Sequence, residues 1–166
     1  MRTTETAGRA SVSYTPSPGE WLRLVPMGRD EVWGELEGIY ADLDVELAAL
    51  RPLCRRSGRC FKFKEFGHQL WTTQVELDYL IGREGLPAGS PSGGACPYLK
   101  DGLCGVRDHR MLGCRIYFCD SGYESAMGPL YEKYHARIKD LHRRRGLPYE
   151  YGEFLSALGR RTSTQL

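Results

Sequence analysis

The chain has 166 residues, of which 41% are hydrophobic and 27% charged, and its formal net charge is +2. A chain of this length buries a hydrophobic core without needing disulfide staples. Its near-neutral charge indicates neither a nucleic-acid nor a membrane partner. We expect no partner of either kind, and composition alone leaves the function open.

The N-terminal residues 1–9 have no apolar run behind a positive start, so no signal peptide is predicted. No stretch approaches the roughly 18 apolar residues that a membrane helix needs. We therefore expect a cytoplasmic protein, in which thiols stay reduced. Clustered cysteines in such a compartment are more often metal ligands than disulfides, although an even count of six still permits a disulfide framework.

Composition along the chain predicts three segments. Residues 1–19 are polar and end in prolines and a glycine, which is typical of a flexible lead-in. Residues 20–160 are predicted to form a single cysteine-cluster metal-binding domain. Residues 161–166 are predicted to be a polar tail.

The spacing of apolar residues predicts a first helix from Asp30 to Leu50. Asp30 is the predicted N-cap, and Pro52 lies just beyond the predicted end. The segment carries seven acidic residues and no basic one. We favour a solvated helix face for them; the alternative is an acidic docking face.

Further elements are predicted from local signals. Thr73 and Glu76 have the form of a capping box at the start of a second helix, which is predicted to reach Gly82. A short strand is predicted within residues 61–71, where the apolar residues begin by alternating. A last short helix is predicted near residues 151–158.

A third long helix is predicted to follow Gly128-Pro129 and to end at Gly146. Residues 131–145 carry six basic and two acidic side chains. A solvated helix end is the favoured interpretation, because positive charge suits a helix C-terminus. The alternatives are contact with an anionic partner and a position facing the acidic first helix.

The cysteines are the most informative residues. Four of the six lie within residues 96–119, and the other two lie upstream at Cys54 and Cys60. Their intervals match neither the Cys-x2-Cys hook of zinc ribbons nor the tight run of ferredoxins. The residues therefore predict a thiolate metal site and leave the metal open.

We rank four cysteines as the core ligands and two behind them. The core set is Cys96, Cys104, Cys114 and Cys119, and the second set is Cys54 and Cys60. A mixed set, with Cys60 joining three of the downstream cysteines, stays open. His68 and His109 are candidates for a ligand or for a hydrogen-bond donor to one.

Two other groups of side chains accompany the cysteines. The arginines that would offset the charge of thiolates are Arg55, Arg56, Arg59, Arg107, Arg110 and Arg115. The aromatic side chains predicted to shield the site or to pack in the core are Tyr98, Tyr117 and Phe118.

The cysteine pattern resembles the YkgJ-like cysteine-cluster family, also described as a zinc- or iron-chelating domain or as an iron–sulfur-cluster-containing protein. The first motif of that family is Cys-x2-Cys-x2-Cys-Cys, and its positions here are Cys54, Ser57, Cys60 and Phe61. The second half of the family pattern is matched by Cys96-Pro97-Tyr98-Leu99, Gly102-Leu103-Cys104, Arg110, Cys114-Arg115 and Cys119. The resemblance covers roughly residues 50–125, and the chain departs from it at Ser57 and Phe61.

The resemblance implies a metal or iron–sulfur centre, and some relatives are called oxidoreductases. A [4Fe–4S] cluster or a Zn(Cys)4 site needs only four thiolates, so two cysteines stay unassigned. The leading hypothesis is an iron–sulfur protein, most simply one with a [4Fe–4S] cluster, a redox or electron-transfer role and a redox protein partner. The alternatives are a non-enzymatic module with structural zinc and a metal-free thiol redox protein. No catalytic residue is predicted; an enzyme of this type would be an iron–sulfur oxidoreductase.

The predicted fold class is mainly α with short strands. We expect a small single domain with irregular cysteine-bearing loops organised around a metal centre.

Overall fold

The computed structural model describes residues 28–89 and 93–163, so the predicted lead-in lies outside the described residues. The chain is mainly helical with a few short strands, as predicted. Its elements, in chain order, are α1 Arg29–Leu50, α2 Phe63–Phe66, β1 Trp71–Thr73, α3 Gln74–Glu84, β2 Leu99–Lys100, β3 Leu103–Cys104, α4 Leu112–Ile116, α5 Glu124–Arg144, β4 Tyr151–Glu153 and α6 Phe154–Ser163. None of the helices in these two ranges is both long enough and apolar enough to cross a membrane.

The two long helices, α1 and α5, pack against each other. The apolar residues whose spacing predicted α1 are buried except for Leu50, which is 49% exposed, and the buried ones meet side chains of α5 such as Tyr134 and Ile138. Glu35 near the start of α1 pairs with Arg144 at the end of α5, and Glu46 near the end of α1 pairs with Lys133. The two helices are therefore antiparallel.

The acidic face of α1 turns toward the basic face of α5. The ion pairs that join them are Glu35 with Arg144 and Arg145, Asp42 with Arg137, and Glu46 with Lys133. Of the interpretations of the basic helix, the one in which it faces α1 is confirmed. The favoured interpretation of solvated faces also holds in part, because these ion pairs lie at the surface; the side chains of Asp42 and Arg137, for example, are 60% and 40% exposed.

The predicted helix starts need two corrections. Gly28, not Asp30, occupies the N-cap position of α1, and no side chain caps that end. Helix α5 begins at Glu124 and includes Pro129, which was expected to precede it. A proline inside a helix loses one backbone hydrogen bond and crowds the residue before it. Gly128 has no Cβ to be crowded, which makes Pro129 tolerable there.

The predicted strand within residues 61–71 was wrong. A single turn of 3-10 helix at Arg59–Phe61 is followed by α2, and only Trp71 belongs to a strand. Phe63 is buried, with its ring against Phe154, which draws this segment into the core. Gly67 then ends α2 in the left-handed conformation that glycine adopts without strain.

The C-terminal segment also differs from the prediction. Residues 151–153 form strand β4, which pairs antiparallel with β1. The last helix, α6, begins only after this strand and extends into the predicted polar tail at residues 161–163. The residues predicted to begin this helix form a strand instead, because they pair with β1; Tyr151 lies opposite Thr73 in the sheet.

Helix α3 begins as predicted. The side chain of Thr73 and the carboxylate of Glu76 form the capping box, with Thr73 N donating to Glu76 Oε2 at 2.9 Å. Glu76 is only 1% exposed. Its other oxygen, Oε1, accepts from Tyr40 Oη at 3.0 Å and from Leu112 N at 2.8 Å. One buried carboxylate thus joins α1 and α3 to the start of α4.

Candidate metal centre

All six cysteines line one cavity of about 310 Å³. They come from three parts of the chain: the segment after α1, the β2–β3 hairpin with the residue Cys96 before it, and the region of α4. None of the six forms a disulfide. The clustering predicted from sequence therefore extends in space to Cys54 and Cys60, although these lie far upstream.

Hydrogen bonds hold the upstream segment against the downstream one. The backbone N–H of Cys96 donates to the carbonyl of Phe61 at 2.7 Å. Ser57 Oγ lies 3.2 Å from Cys119 Sγ, within hydrogen-bond distance. Leu53 N donates to the carboxylate of Asp120 at 2.9 Å. These contacts bring both cysteine groups to the same cavity.

A tight hairpin positions Cys104. Strands β2 and β3 pair antiparallel, with Leu99 opposite Cys104. The two turn residues, Asp101 and Gly102, both have positive φ, at 51° and 74°. A turn with two such residues matches the twist of a two-residue hairpin, and Asp-Gly is a preferred pair for it.

Helix α4 carries Cys114, and Arg115 fixes this helix to the rest of the fold. The Arg115 guanidinium lies 4.2 Å from the ring centre of Tyr40. It also donates to the carbonyl of Arg110 at 2.8 Å and contacts Asp44 at 3.2 Å. Arg115 is 6% exposed and is absent from the residues lining the cavity. Its role is structural, which corrects the expectation that it offsets thiolate charge directly.

The thiols divide into an inner set of four and an outer pair. Within every pair of the four inner thiols, negative charge on one member raises the pKa of the other. They are Cys60, Cys96, Cys104 and Cys114, and we call them the inner quartet. Cys119 and Cys54 both act on Cys60, and Cys54 is exposed. These interactions are consistent with the mixed set, in which Cys60 joins Cys96, Cys104 and Cys114.

Burial favours the protonated thiol at three members of the inner quartet, Cys60, Cys96 and Cys114. It raises the pKa of Cys96 to about 11 and moves the pKa of Cys114 higher still. The pKa of Cys60 is also raised, first by burial and then by its neighbouring thiols. Reactive thiols need a lowered pKa. Cys96 and Cys114 are therefore poor nucleophiles unless a cation replaces their protons.

Three of the six predicted arginines line the cavity: Arg56, Arg107 and Arg110. Arg110 has the most direct influence, because its charge lowers the pKa of Cys114 against the effect of burial. Its Nη1 also donates to the carbonyl of Cys114 at 3.0 Å. Arg59 instead lies over the ring of Phe66.

The two candidate histidines lie outside the lining of this cavity. The ring of His109 contacts the carboxylate of Glu84 and the edge of Tyr79. The ring of His68 stacks on Tyr117, with ring centres 5.5 Å apart. Tyr117 does line the cavity, so its ring lies between His68 and this cavity.

The remaining lining is mostly apolar. Tyr98, Tyr117 and Phe118 all line the cavity beside the thiols. Ser57 and Phe61, which stand where the family pattern has cysteines, line it too. Sequence reasoning missed the contact between Ser57 and Cys119, because the two residues are 62 positions apart and no local pattern connects them.

The donor set fits a centre that binds thiolates, but it is not arranged for a single ion. Among residues 28–89 and 93–163, no group of three or more His, Cys, Asp or Glu side chains is positioned to hold a metal ion. A tetrahedral zinc with bonds of about 2.3 Å would bring its sulfurs to within about 4 Å of each other. The thiols here surround a cavity instead of meeting at one point.

The fold and the site together define a mainly helical protein with a cysteine-lined cavity. Comparisons with protein-family models, with curated proteins and with solved structures found no match to this chain. The function must therefore be argued from the cavity itself.

Proposed function

We propose that the protein binds an iron–sulfur cluster, most simply [4Fe–4S], through the inner quartet of Cys60, Cys96, Cys104 and Cys114. The observation that supports this most strongly is the convergence of all six cysteines on one cavity of about 310 Å³. The irregular cysteine-bearing loops would then be organised around this centre.

The breadth of the cavity favours a cluster over a single ion. Four iron and four sulfide ions fill a volume between their thiolates, whereas one zinc draws its ligands close together. The inner quartet surrounds a space and does not converge on a point. This is why we place the cluster ahead of structural zinc.

The burial of Cys96 and Cys114 favours metal ligation over thiol chemistry at these two residues. A thiol redox protein needs a thiolate at neutral pH, and burial raises the pKa of Cys96 to about 11. A bound metal centre removes this obstacle because ligands lose their protons on coordination.

The residues of the chain would hold and tune the centre. A bound cluster supplies one-electron transfer. The cysteines bind it, Arg110 and Arg107 offset its negative charge, and the rings of Tyr98 and Phe118 exclude water. Burial and nearby charge are the means by which proteins set the potential of such centres. The proposed role is therefore electron transfer with a redox protein partner.

Kinship with the YkgJ-like cysteine-cluster family forms part of the proposal. Ser57 and Phe61 replace two cysteines of its first motif and still line the cavity. The inner quartet takes Cys60 from that motif and three cysteines from the second half. The chain would thus keep one cluster with the four ligands it needs.

Anaerobic purification tests the proposal. We expect a brown protein with broad visible absorption and with about four irons and four sulfides per chain. A colourless protein with one zinc would support the structural-zinc alternative instead. A metal-free protein with three disulfides would contradict both metal hypotheses.

A further inference from the structure

A second cavity, of about 330 Å³, adjoins the first. Four residues line both: Cys60, Phe63, Cys114 and Tyr117. Two of these are members of the inner quartet. Any molecule in the second cavity would therefore lie directly against the side chains that we assign to the cluster.

Six of the fourteen residues that line this second cavity carry aromatic rings. His68 stacks on Tyr117 at 20° between ring planes, and Trp71 stacks on Tyr151 at 26°. The hydroxyls of Tyr131 and Tyr151 are 2.8 Å apart, within hydrogen-bond distance. Pockets of roughly 300 Å³ and above with apolar, aromatic walls and a few polar groups are typical small-molecule sites. Such walls suit a small planar ring.

The pairing of two strands supports part of this wall. Trp71 lies opposite Glu153 in the β1–β4 sheet, and Thr73 lies opposite Tyr151. Trp71 is 42% exposed and Tyr151 is 37% exposed, so both rings reach from the cavity to solvent. The cavity is therefore accessible from outside and has a wall held by backbone hydrogen bonds.

One buried polar atom in this wall has no partner. Nε2 of His68 is buried, and no hydrogen-bond partner for it exists within the described ranges. A buried polar atom left unpaired destabilises the fold. An oxygen on a bound ring would satisfy it, as acceptor from an Nε2–H or as donor to a bare Nε2.

We propose that this aromatic cavity binds a small quinone or its hydroquinone, with one ring oxygen hydrogen-bonded to Nε2 of His68. A quinone accepts and a hydroquinone donates, so the pair matches either tautomer of the imidazole. The choice of a redox-active ring rests on the proposed function, because Cys60 and Cys114 would place it beside the cluster. The binding itself depends only on the cavity.

Duroquinone is a suitable probe, because its fully methylated ring resists addition by the six thiols. We expect saturable quenching of tryptophan fluorescence, since Trp71 forms part of the wall. His68→Phe keeps an aromatic ring and removes the nitrogen; it should weaken binding by about 3- to 10-fold, the loss of one hydrogen bond. Met127→Phe places a larger side chain at the cavity and should abolish saturation.

Tyr149→Ala is the matched control. Tyr149 stacks on Tyr151 but does not line the cavity, so its removal should leave the affinity within about 2-fold, well under the loss expected for one hydrogen bond. Should Met127→Phe fail to fold, the comparison of His68→Phe with Tyr149→Ala still decides the result. Quenching that never saturates, or that is equal in wild type and His68→Phe, would overturn the proposal.

Iron and sulfide analysis of the same preparation separates this proposal from the previous one. Saturable, His68-dependent binding to a protein without a cluster would support the quinone cavity and overturn the proposed function. A protein with a full cluster and no saturable binding would do the reverse.

Discussion

The molecule contains two regions that are held together in different ways. The helical frame, α1 with α5, buries a continuous apolar surface and adds ion pairs along its length. The thiol loops, residues 51–66 and 93–120, contain only short elements. Leu53 and Leu103 in these loops are 64% and 55% exposed. The frame has a core of its own, whereas the loops add a few side chains, such as Phe63 and Tyr98, to a second apolar cluster and surround a cavity whose thiols are half-buried or exposed.

This difference implies that the two regions are stabilised by different interactions. Helical packing alone accounts for the stability of the frame, because buried apolar area is the main source of stability. The thiol loops have fewer such contacts, and a bound centre would supply the cross-links that they lack.

Removal of the metal centre should produce the largest difference in behaviour between the two regions. We expect chelation under anaerobic conditions to speed amide hydrogen exchange in the thiol loops by about 100-fold or more, the linkage expected for a ligand well above its Kd. The N–H of Cys96, bonded to Phe61 O, is the most direct reporter. Amides in the middle of α1 and α5 should change little. Equal acceleration of exchange in both regions would show that they are not stabilised by different interactions.

Glu76→Gln should break the connection between the regions. The carboxylate accepts from Tyr40, Thr73 and Leu112, and an amide would leave at least one of these buried donors unpaired. We expect a loss of about 3 kcal/mol in the free energy of unfolding, measured by urea denaturation. Glu84→Gln, on the surface of the same helix, is the control and should cost under about 1 kcal/mol. Equal losses would show that the buried carboxylate has no special role.

Glu35→Gln should weaken the frame only slightly. It removes the ion pairs with Arg144 and Arg145, and pairs near the surface contribute about 0.5–1 kcal/mol. The loss should shrink at high salt, because salt screens such pairs. Glu132→Gln, an exposed carboxylate on α5, should have no measurable effect. A loss that does not depend on salt would point to packing as the cause.

His142→Asn should have the smallest effect, on the pH dependence of the frame. Burial lowers the pKa of His142 below its ordinary value of 6.5. As pH falls below 6.5, the unfolded chain takes up a proton before the folded one does, so the stability of the wild type should fall. Asparagine cannot titrate and retains a donor toward Pro148 O, which His142 Nδ1 contacts at 2.8 Å.

Unfolding free energies of the two proteins between pH 5 and pH 7.5 test this. The difference between variant and wild type is the quantity to compare, since Asp78, whose pKa burial raises to about 7, gives an opposing slope in both. Parallel curves would show that His142 does not contribute.

Local patterns predicted the frame well. The apolar spacing of α1 and the capping box of Thr73 and Glu76 depend only on residues that are close together in the chain, and both appear in the structure. The strand predicted within residues 61–71 failed because alternating Phe61 and Phe63 resemble a strand only locally. Burial of Phe63 against Phe154, more than 80 residues away along the chain, decides the conformation there.

The sequence predicted which cysteines form the candidate site but not how they are arranged in space. Clustering identified all six cysteines, and all six line one cavity. The grouping of Cys60 with the downstream thiols depends on the long-range bond between Cys96 and Phe61, which no spacing reveals. The buried contacts of Glu76 with α4 and of Arg115 with α1 were invisible for the same reason.

The most direct test of the central claim is the iron and sulfide content of six single Cys→Ser variants, each purified anaerobically beside the wild type. We predict that Cys60→Ser, Cys96→Ser, Cys104→Ser and Cys114→Ser lose the cluster, while Cys54→Ser and Cys119→Ser retain at least about half of it, because a [4Fe–4S] cluster needs only four thiolates. Loss of the cluster in Cys119→Ser with full retention in Cys60→Ser would contradict the inner quartet. Full iron content in all six variants would contradict thiolate ligation altogether.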